Sequence, residues 1–474
     1  MNENLLWSGL GLVVALQARV SGSVPEGASG ISIDTRTLQP GDLYFAIIGE
    51  ANDGHKFVAA ALEKGAAAAV VDEAHANSLK GLGPLYVVRD TLRALESLGV
   101  ESRSRSRAGI IAVTGSVGKT STKDALRLVF ETAGATHASV ASYNNHWGVP
   151  LTLARMPQNT RFGVFEIGMN HPGEITPLVG MVKPHAAIVT TVAPVHLEAF
   201  DSVDAIADAK AEIFNGLVHN GVAIIHRDIP QFERLRDHAR ASAAAQVLSF
   251  GEDESADARL EKSELVAGAQ IITARILGIQ LRYRLGAPGK HMAMNSLAVL
   301  LGARALGMDL PDAARALAHF EAPTGRGQRL RLLAPDGVFT LIDESYNANP
   351  ASMRAAFSLL GESVNATRRV AVLGDMLELG SESASLHRGL REAIEVNNIN
   401  IVFASGPMMR HLYDELPTGL QGAWAETSAD IADRVAENVA GGDIVMIKGS
   451  NGSRMGPIVA MLKDRFALST EATK

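Results

Sequence analysis

The chain has 474 residues, of which 47% are hydrophobic and 20% charged, and its formal net charge is −7. This composition is typical of globular proteins and excludes disorder, collagen and coiled coil as the main architecture. The mildly acidic balance excludes a general basic surface for nucleic acid or anionic membranes. The absence of cysteine excludes disulfides, thiolate catalysis and cysteine zinc sites. Length alone predicts about three domains.

The first apolar segment lies at 5–16 and is interrupted by Ser8, Gly9 and Gly11. Glu3 precedes this segment and no Lys or Arg does, so it lacks the positive start of a secretory signal. It is also shorter than the roughly 20 residues of a membrane-spanning helix. We therefore predict a first-domain helix here, in a soluble and cytoplasmic protein with no membrane insertion and no nucleic-acid partner.

The remaining predicted elements alternate between apolar strands and Ala-rich helices, which indicates an α/β fold with largely parallel sheets. The first domain, 1–104, has predicted strands at 43–47 and 66–71 around a helix at 57–64, and ends at the polar segment 101–107. The central domain, 105–326, has predicted strands at 110–113, 162–167, 186–191 and 222–225, a hairpin at 270–285 and a helix from His291 to about 306. The Pro/Gly-rich segment 323–327 separates it from a third, doubly wound domain, 327–474, with predicted strands at 338–342, 370–373, 401–404 and 444–447.

The strongest local motif follows the predicted strand at 110–113 and precedes a predicted helix. It consists of Thr114, Gly115, Ser116, Val117, Gly118, Lys119 and Thr120. Glycines permit a tight loop with inward-pointing N–H groups, and the helix start adds partial positive charge. Lys119 can reach the β- and γ-phosphates of ATP, and the Thr120 hydroxyl can ligate Mg²⁺. Because Val113 stands where the complete P-loop has glycine, this is a shortened variant, which we interpret as a nucleotide site rather than a plain glycine turn.

Glu166 ends an otherwise apolar predicted strand. A carboxylate in this position is costly unless it is paired or bound to a cation, and ligands gather at the carboxyl ends of strands in open α/β sheets. The residue alone leaves a salt bridge and a metal ligand equally open. The P-loop in the same sheet favours the metal ligand.

His196 follows the predicted strand at 186–191, and alone it indicates no more than a hydrogen-bonded loop residue. Lys210 lies on the apolar stripe of a helix predicted at 201–217. Its amine either reaches water at the end of its stem or is partly buried with a lowered pKa. A neutral amine can add carbon dioxide to form a carbamate, which is an anionic oxygen ligand. Spacing does not decide between these interpretations.

Two further polar segments border predicted helices. His291 and Asn295 share one helical face, and they form either a polar helix start or contacts to adenine and phosphate. The segment 343–350 follows a strand and contains Asp343, Tyr346 and Asn347. Its turn formers and carboxylates are also compatible with a simple turn and N-cap.

Together these motifs resemble the Mur ligase family over nearly the whole chain. In the first domain the resemblance rests on Thr35, where the family usually has Ser, on Arg36, and on the segments 41–42 and 53–55. In the central domain it rests on the P-loop, the helix with Lys210 and the segments 144–150, 166–170, 173–174 and 195–200.

In the last domain the segments 343–350 and 373–380 resemble family members that add a dipeptide. The DNPR segment typical of the members that add the third amino acid is absent. Two departures stand out. The family often has Asn and paired acids at 226–228, where this chain has His-Arg-Asp. The sequence after Gly449 also differs from the family pattern, which leaves open whether Lys448 or Arg454 acts.

The resemblance implies a small α/β UDP-binding domain, a central P-loop-type domain with a mostly parallel sheet and a C-terminal Rossmann-like domain. It implies a monomer that joins D-alanyl-D-alanine to a UDP-N-acetylmuramoyl-tripeptide, using ATP and two Mg²⁺ ions. The implied catalytic residues are Lys119, Glu166, His196 and Lys210. Of these, Glu166 with Thr120 would ligate one magnesium, and His196 with carbamylated Lys210 the second.

The resemblance also assigns binding residues. Besides the P-loop 114–120, the implied nucleotide contacts are His291, Asn295, Arg326 and Asp343. The implied substrate contacts are Thr35, Arg36, Asn144, Asn145, Tyr346 and Asn347. Because these residues come from separate domains, we expect domain closure before chemistry.

Three other functions stay open at this stage. A nucleotide switch or motor would hydrolyse ATP without an acceptor. A binding module would carry a vestigial loop, although intact Lys119 and Thr120 argue against this. A related Mur enzyme would add a single amino acid, lysine or diaminopimelate, instead of a dipeptide.

Overall fold

The computed structural model describes residues 5–49, 52–140, 142–195, 198–266, 269–363 and 366–468. Within these ranges no helix is both long and apolar enough to cross a membrane. The apolar segment near the start forms a helix that begins at Gly9, where the Ser8 side chain accepts a hydrogen bond from the Gly11 N–H. The predicted first-domain helix is therefore confirmed.

The first part of the chain forms a small α/β layer. Its elements are β1 (Trp7–Ser8), α1 (Gly9–Leu16), β2 (Arg19–Ser21), β3 (Gly27–Ala28), β4 (Gly30–Ser32), β5 (Asp42–Phe45), α2 (Val58–Glu63), β6 (Ala68–Asp72), β7 (Leu85–Val88) and α3 (Thr91–Ser104). The main sheet has the order β2-β7-β6-β5-β4, in which β4 to β7 are parallel and β2 is antiparallel to β7. The polar segment predicted as a boundary is the last turn of α3 and the loop after it.

The central part of the chain forms the largest sheet. Its first elements are β8 (Gly109–Thr114), α4 (Lys119–Glu131), β9 (Thr136–Ala138), α5 (Gly148–Ala154), β10 (Phe162–Glu166), α6 (Ile175–Val182), β11 (Ala186–Val189), α7 (Val203–Ala211) and β12 (Gly221–His226). They are followed by α8 (Phe232–Arg240), β13 (Ala244–Gly251), β14 (Ala258–Val266), β15 (Ala269–Ile276), β16 (Ile279–Leu285), α9 (Lys290–Ala305) and α10 (Leu310–Leu317). The strand order is β16-β15-β14-β13-β12-β11-β8-β10-β9. The sheet is parallel from β9 to β14, and β15 and β16 form the predicted hairpin at its edge.

Helices cover both faces of this sheet, as the continuous apolar strands predict. Ile111 and Val113 of β8 point into the core beneath α4 and α9. Ile110 and Ala112, on the opposite face, pack in the core that includes residues of α6 and α7. This alternation fixes the register, so that Val113 lies opposite Glu166 and Thr114 opposite Val189. The carboxyl ends of β8, β10 and β11 therefore meet at one edge.

The last part of the chain forms a second layered sheet. Its elements are β17 (Gln328–Ala334), β18 (Gly337–Glu344), α11 (Pro350–Gly361), β19 (Arg368–Gly374), α12 (Ser383–Arg388), α13 (Arg391–Val396), β20 (Ile401–Ser405), α14 (Met409–Tyr413), β21 (Gln421–Ala425), α15 (Ser428–Asn438), β22 (Asp443–Lys448), α16 (Gly456–Arg465) and β23 (Ala467–Leu468). The order is β21-β20-β19-β22-β18-β17-β23, parallel from β18 to β21 and antiparallel at β17 and β23. The three-part α/β architecture and the predicted strands at 338–342, 370–373, 401–404 and 444–447 are confirmed.

One predicted element differs from the structure. The helix expected at 201–217 is α7 followed by a tighter 3₁₀ turn over Glu212–Gly216. A Cβ on Gly216 would lie 2.4 Å from the Val179 carbonyl oxygen, so the chain passes very close to α6 at this point. Periodicity alone does not report such a close approach.

Candidate active site

The loop between β8 and α4 is held by backbone and hydroxyl contacts. The Ser116 N–H donates to Thr191 O at 2.9 Å, and the Thr190 hydroxyl donates to Val117 O at 2.6 Å. Gly115 has φ +147°, and a Cβ there would lie 1.9 Å from the Thr190 hydroxyl oxygen. Gly118 has φ +87° directly before α4, a backbone conformation that favours glycine. These glycines let the loop N–H groups and the helix start face the same space.

Lys119 begins α4 and its ammonium lies over the loop. Its Nζ donates to Gly115 O at 2.6 Å. Burial lowers the pKa of Lys119, nearby Glu166 raises it, and Arg326 lowers it further. A half-buried ammonium with a neutral acceptor is suited to bind an anion, because an opposite charge favours its protonated form.

Two buried oxygens lie where a cation ligand is expected. The Glu166 side chain is 1% exposed, and its Oε1 accepts a hydrogen bond from Asn144 Nδ2 at 2.8 Å. Glu166 Oε2 and the Thr120 hydroxyl oxygen are buried and have no hydrogen-bond partner among the described residues. Buried polar atoms are normally satisfied. One hydroxyl and one carboxylate oxygen without partners at a P-loop are suitable ligands for Mg²⁺.

Lys210 lies in the last turn of α7 and is 2% exposed. Burial, reinforced by the neighbouring Lys119, holds the pKa of Lys210 well below its ordinary value. Of the two interpretations left open by the sequence, the buried amine agrees with the structure. The other predicted ligand of this group, His196, lies outside the described residues.

The opposite wall comes from the carboxyl ends of β18 and β22. Lys448 ends β22, is 2% exposed, and its Nζ donates to Glu344 Oε2 and to Asn347 O, both at 3.0 Å. His291 lies in the first turn of α9. Burial lowers the pKa of His291, Glu344 raises it and Lys448 lowers it. Arg454, the alternative to Lys448, is exposed and has φ +55°.

Asp343 organises the segment that joins the two sheets. Its Oδ2 accepts from the Gly325 N–H at 2.9 Å, and its Oδ1 accepts from the Ser345 N–H at 3.1 Å and the Ser345 hydroxyl at 2.6 Å. Next to Gly325, the Arg326 guanidinium lies 4.1 Å above the Tyr346 ring. Asp343 therefore fixes the loop that presents Arg326.

A cavity of about 270 Å³ lies between these two walls. The predicted residues that line it are Ser116, Val117, Gly118, Lys119, Asn144, Glu166, His291, Arg326, Tyr346 and Asn347. Asn295 does not line it but its amide supports the loop, since a Cβ on Gly118 would lie 2.7 Å from Asn295 Nδ2. Other predicted site residues belong to the described part of the chain but do not line the cavity. They are Thr114, Gly115, Thr120, Asn145, Lys210 and Asp343.

The first-domain residues lie apart from this cavity. The Arg36 guanidinium forms a two-pronged contact with Asp34, with Nη2 to Oδ2 at 2.6 Å, and is largely exposed. The Thr35 carbonyl accepts from Lys64 Nζ at 2.8 Å.

Asn145 belongs to the central part of the chain. Its side chain accepts a hydrogen bond from the Gly148 N–H at the start of α5, and its neighbour Asn144 holds Glu166.

Sequence reasoning missed several cavity residues. The strongest is Glu344, and Ser142, Asn170 and Asn349 also line the walls. Lys448, which the sequence left open against Arg454, lines the same cavity. Part of the signal was present in the sequence, because Glu344 and Lys448 both follow predicted apolar strands. Their position opposite each other in the register of β18 and β22 is shown only by the structure. The rule that ligands gather at strand ends predicted Glu166, which lines the cavity, and it applies equally to these two residues.

The fold and the site define a three-part enzyme in which a P-loop domain and a second α/β domain share a cavity, and the chain belongs to the Mur ligase family. Models described as Mur ligase family, catalytic domain, Mur ligase middle domain, and Mur ligase, glutamate ligase domain match residues 28–120, 113–303 and 325–451. The chain is 31% identical to the UDP-N-acetylmuramoyl-tripeptide--D-alanyl-D-alanine ligase of Rickettsia prowazekii, over 96% of this chain and 99% of that protein.

Solved structures agree with this assignment. A crystal structure of MurF from Acinetobacter baumannii is 29% identical, with a TM-score of 0.84, covering 97% of this chain and 99% of that one. The MurF ligase from Thermotoga maritima in complex with ADP is 25% identical, with a TM-score of 0.77, covering 92% of this chain and 98% of that one.

Proposed function

We propose that this chain is an ATP-dependent ligase that joins D-alanyl-D-alanine to a UDP-N-acetylmuramoyl-tripeptide, giving the pentapeptide precursor of peptidoglycan. The observation that carries the proposal is the cavity shared by the P-loop and the ends of β18 and β22. ATP hydrolysis alone needs only the wall that the P-loop forms. A ligase needs a second wall, where an acid and an amine can lie beside the γ-phosphate.

In the first step, a terminal carboxylate oxygen of the tripeptide attacks the γ-phosphorus of ATP. The bond from that phosphorus to the bridging oxygen of ADP breaks, and an acyl phosphate forms. In the second step, the amine of D-alanyl-D-alanine attacks the acyl carbon, phosphate leaves and the nitrogen loses a proton. The chain's task is to hold two anions in line, and Lys119, Arg326 and Lys448 supply positive charge around the cavity for this.

Mg²⁺ fits the donor set at the P-loop. The unpartnered Thr120 hydroxyl and Glu166 Oε2 would hold it, and Asn144 would orient the carboxylate through Oε1. When bound, the ion would neutralise charge on the phosphates. We place a second Mg²⁺ near His196 and Lys210, with Lys210 as a carbamate, because its amine is buried and has a strongly lowered pKa.

The other assignments follow from this reaction. His291, Asn295 and the P-loop 114–120 would contact the nucleotide, and Asp343 would act by holding the loop of Arg326. Thr35 and Arg36 would bind the UDP-sugar, while Asn144, Asn145, Tyr346 and Asn347 would face the peptide. We divide the chain at 1–104, 105–326 and 327–474, and propose that it acts as a monomer in the cytoplasm.

The proposal is tested by measuring phosphate release with each substrate omitted in turn. We expect release only when ATP, the UDP-linked tripeptide and D-alanyl-D-alanine are all present. Release with ATP alone would indicate a P-loop ATPase instead. Release with lysine or diaminopimelate, offered with the UDP-linked dipeptide, in place of D-alanyl-D-alanine and the tripeptide would indicate a ligase that adds a single amino acid.

Isotope transfer provides a second readout. With ¹⁸O in the tripeptide carboxylate, we expect one labelled oxygen in the liberated phosphate, because the acyl phosphate bridge retains it. Unlabelled phosphate would contradict the acyl phosphate route.

A further inference from the structure

Four titratable side chains meet in the first domain, away from the cavity. Asp53 and His55 lie in the turn after β5, and Asp72 and His75 lie at and just after the end of β6. The His55 and His75 rings are stacked, with centroids 4.0 Å apart and planes 13° apart. Ligand atoms of Asp53, His55 and His75 all lie within 4.8 Å of one another.

Hydrogen bonds fix the ring of His55 and one oxygen of Asp53. His55 Nε2 accepts from the Asp72 N–H at 3.1 Å, so the ring proton is on Nδ1, which donates to Asp53 Oδ1 at 2.8 Å. The His55 N–H donates to the same oxygen at 3.0 Å, which holds the pKa of Asp53 below its ordinary value. Both nitrogens of His55 are therefore used. Asp53 Oδ2 is left to face His75.

His75 is oriented in the same way by Asp72. Its Nδ1 lies 2.7 Å from Asp72 Oδ1, which also accepts the His75 N–H at 2.9 Å. A carboxylate can only accept, so Nδ1 carries a proton, and in the neutral ring the lone pair is on Nε2. His75 Nε2 lies 3.5 Å from Asp53 Oδ2. Two acceptor atoms that face each other at this distance need a proton or a cation between them.

We propose that His75 Nε2 and Asp53 Oδ2 bind a divalent transition metal of the Zn²⁺ class, with water completing the coordination. Two ligands of a tetrahedral Zn²⁺ at about 2.0–2.1 Å from the ion lie about 3.3–3.4 Å apart. The separation in the structure therefore needs almost no rearrangement. One imidazole with one carboxylate favours Zn²⁺ or Co²⁺ over Mg²⁺.

The surrounding groups have the arrangement that supports such a site. Asp72 accepts a hydrogen bond from His75 and so orients this ligand, as carboxylates do behind zinc-bound histidines. His55 orients Asp53 by donating a hydrogen bond to its Oδ1. The side chains of His75 and Asp53 are 35% and 25% exposed, which leaves an entry path and room for water ligands. The ion would join the turn at 53–57 to the end of β6.

The test uses Co²⁺, whose tetrahedral complexes absorb visible light, titrated into the full-length chain in excess Mg²⁺. We expect one saturable Co²⁺ site that Zn²⁺ displaces. His75→Ala should remove it, and Asp72→Asn should weaken it about 10–100-fold, because only the orienting group is lost. His171→Ala is the matched control, since His171 is exposed and contacts a carboxylate of Glu174.

The proposal is overturned if the unaltered chain has no saturable site, or if His75→Ala retains it. In the first case His75 only pairs with the carboxylates of Asp53 and Asp72. The His75→Ala variant should retain ligation activity with Mg²⁺, and this activity would show that the variant is folded. Should it not fold, His75→Gln preserves the size of the side chain and must equally lose the Co²⁺ signal.

Discussion

The Lys119 ammonium donates to Gly115 O, a carbonyl of its own loop. In the proposed complex with ATP, a phosphate oxygen would take the place of this carbonyl as the acceptor. Burial lowers the pKa of Lys119, and Glu166 opposes this effect while Arg326 adds to it. An anionic ligand raises the pKa because it stabilises the charged amine. Nucleotide binding and the charge of Lys119 are therefore coupled.

Lys119→Ala should lower kcat for ligation by at least about 100-fold, because a positioned charge at the phosphates is lost. The fold should persist, since the Lys119 side chain contributes one local hydrogen bond. Steady-state kinetics and thermal unfolding measure the two effects. Lys463→Ala, on the exposed surface of α16, is the control and should retain full activity. Near-normal turnover of Lys119→Ala would contradict the phosphate assignment.

The buried amine of Lys210 predicts a dependence on dissolved carbon dioxide. Because burial and Lys119 hold its pKa well below the ordinary value, the amine is uncharged and nucleophilic over a wider pH range than an exposed lysine is. Lys210→Ala should inactivate the enzyme, and small carboxylates should restore part of the activity by occupying the place of the carbamate. Degassed buffer should lower the activity of the unaltered chain and bicarbonate should restore it. An active Lys210→Met would show that the residue only packs.

At the scale of elements, the β8–loop–α4 unit depends on the backbone freedom of Gly118. Its φ of +87° places the loop and the helix start around the same space. Asn295 of α9 packs against it, so that the loop is supported from a helix that lies far away in the sequence. The shape of the loop therefore depends on α9 as well as on the β8–loop–α4 unit.

Gly118→Ala should lower stability by about 1–2 kcal/mol, because an L side chain is strained at this φ. It should also weaken ATP binding, since the added Cβ would meet the Asn295 amide. Gly173→Ala is matched in φ, at +85°, and has open space around its Cβ position. It should show a similar loss of stability in thermal unfolding but unchanged ATP affinity. Equal ATP affinity of Gly118→Ala and Gly173→Ala would contradict the role of Asn295 in supporting the loop.

Local signals predicted these elements well. The P-loop was found because strand, glycines, Lys119 and helix are contiguous, and Glu166 was found because its strand is apolar. The choice between Lys448 and Arg454 was not available from sequence, because it depends on the pairing of β22 with β18, about a hundred residues earlier. Likewise, Asp53 and His75 come from separate turns, and only the parallel pairing of β5 with β6 brings them together.

For the whole molecule, the cavity exists only where the central and C-terminal sheets approach each other. Its walls carry Lys119 and Glu166 on one side and Glu344 and Lys448 on the other. The connecting segment is fixed through Asp343 to Gly325. Relative movement of the two sheets therefore changes the distance between the reacting groups.

Closure of the domains should accompany substrate binding. We expect small-angle scattering to give a smaller radius of gyration with a non-hydrolysable ATP analogue and the UDP-linked tripeptide than without them, because charge on both walls is neutralised by ligands. Lys119→Ala should show less compaction at the same ligand concentrations. Unchanged dimensions at saturating ligand would contradict closure.

The Thr190 hydroxyl occupies the volume that a side chain at position 115 would need, and it also bonds to Val117 O and Thr114 O. Divergence at these two positions is consequently linked. A lineage that acquires alanine at 115 has to replace Thr190 by a residue without the branched hydroxyl first. It then loses the two hydrogen bonds from Thr190 to Thr114 O and Val117 O that hold the loop. Random libraries should recover substitutions at 115 only together with a smaller residue at 190, and rarely even then, because the φ of +147° strains any L side chain at this position.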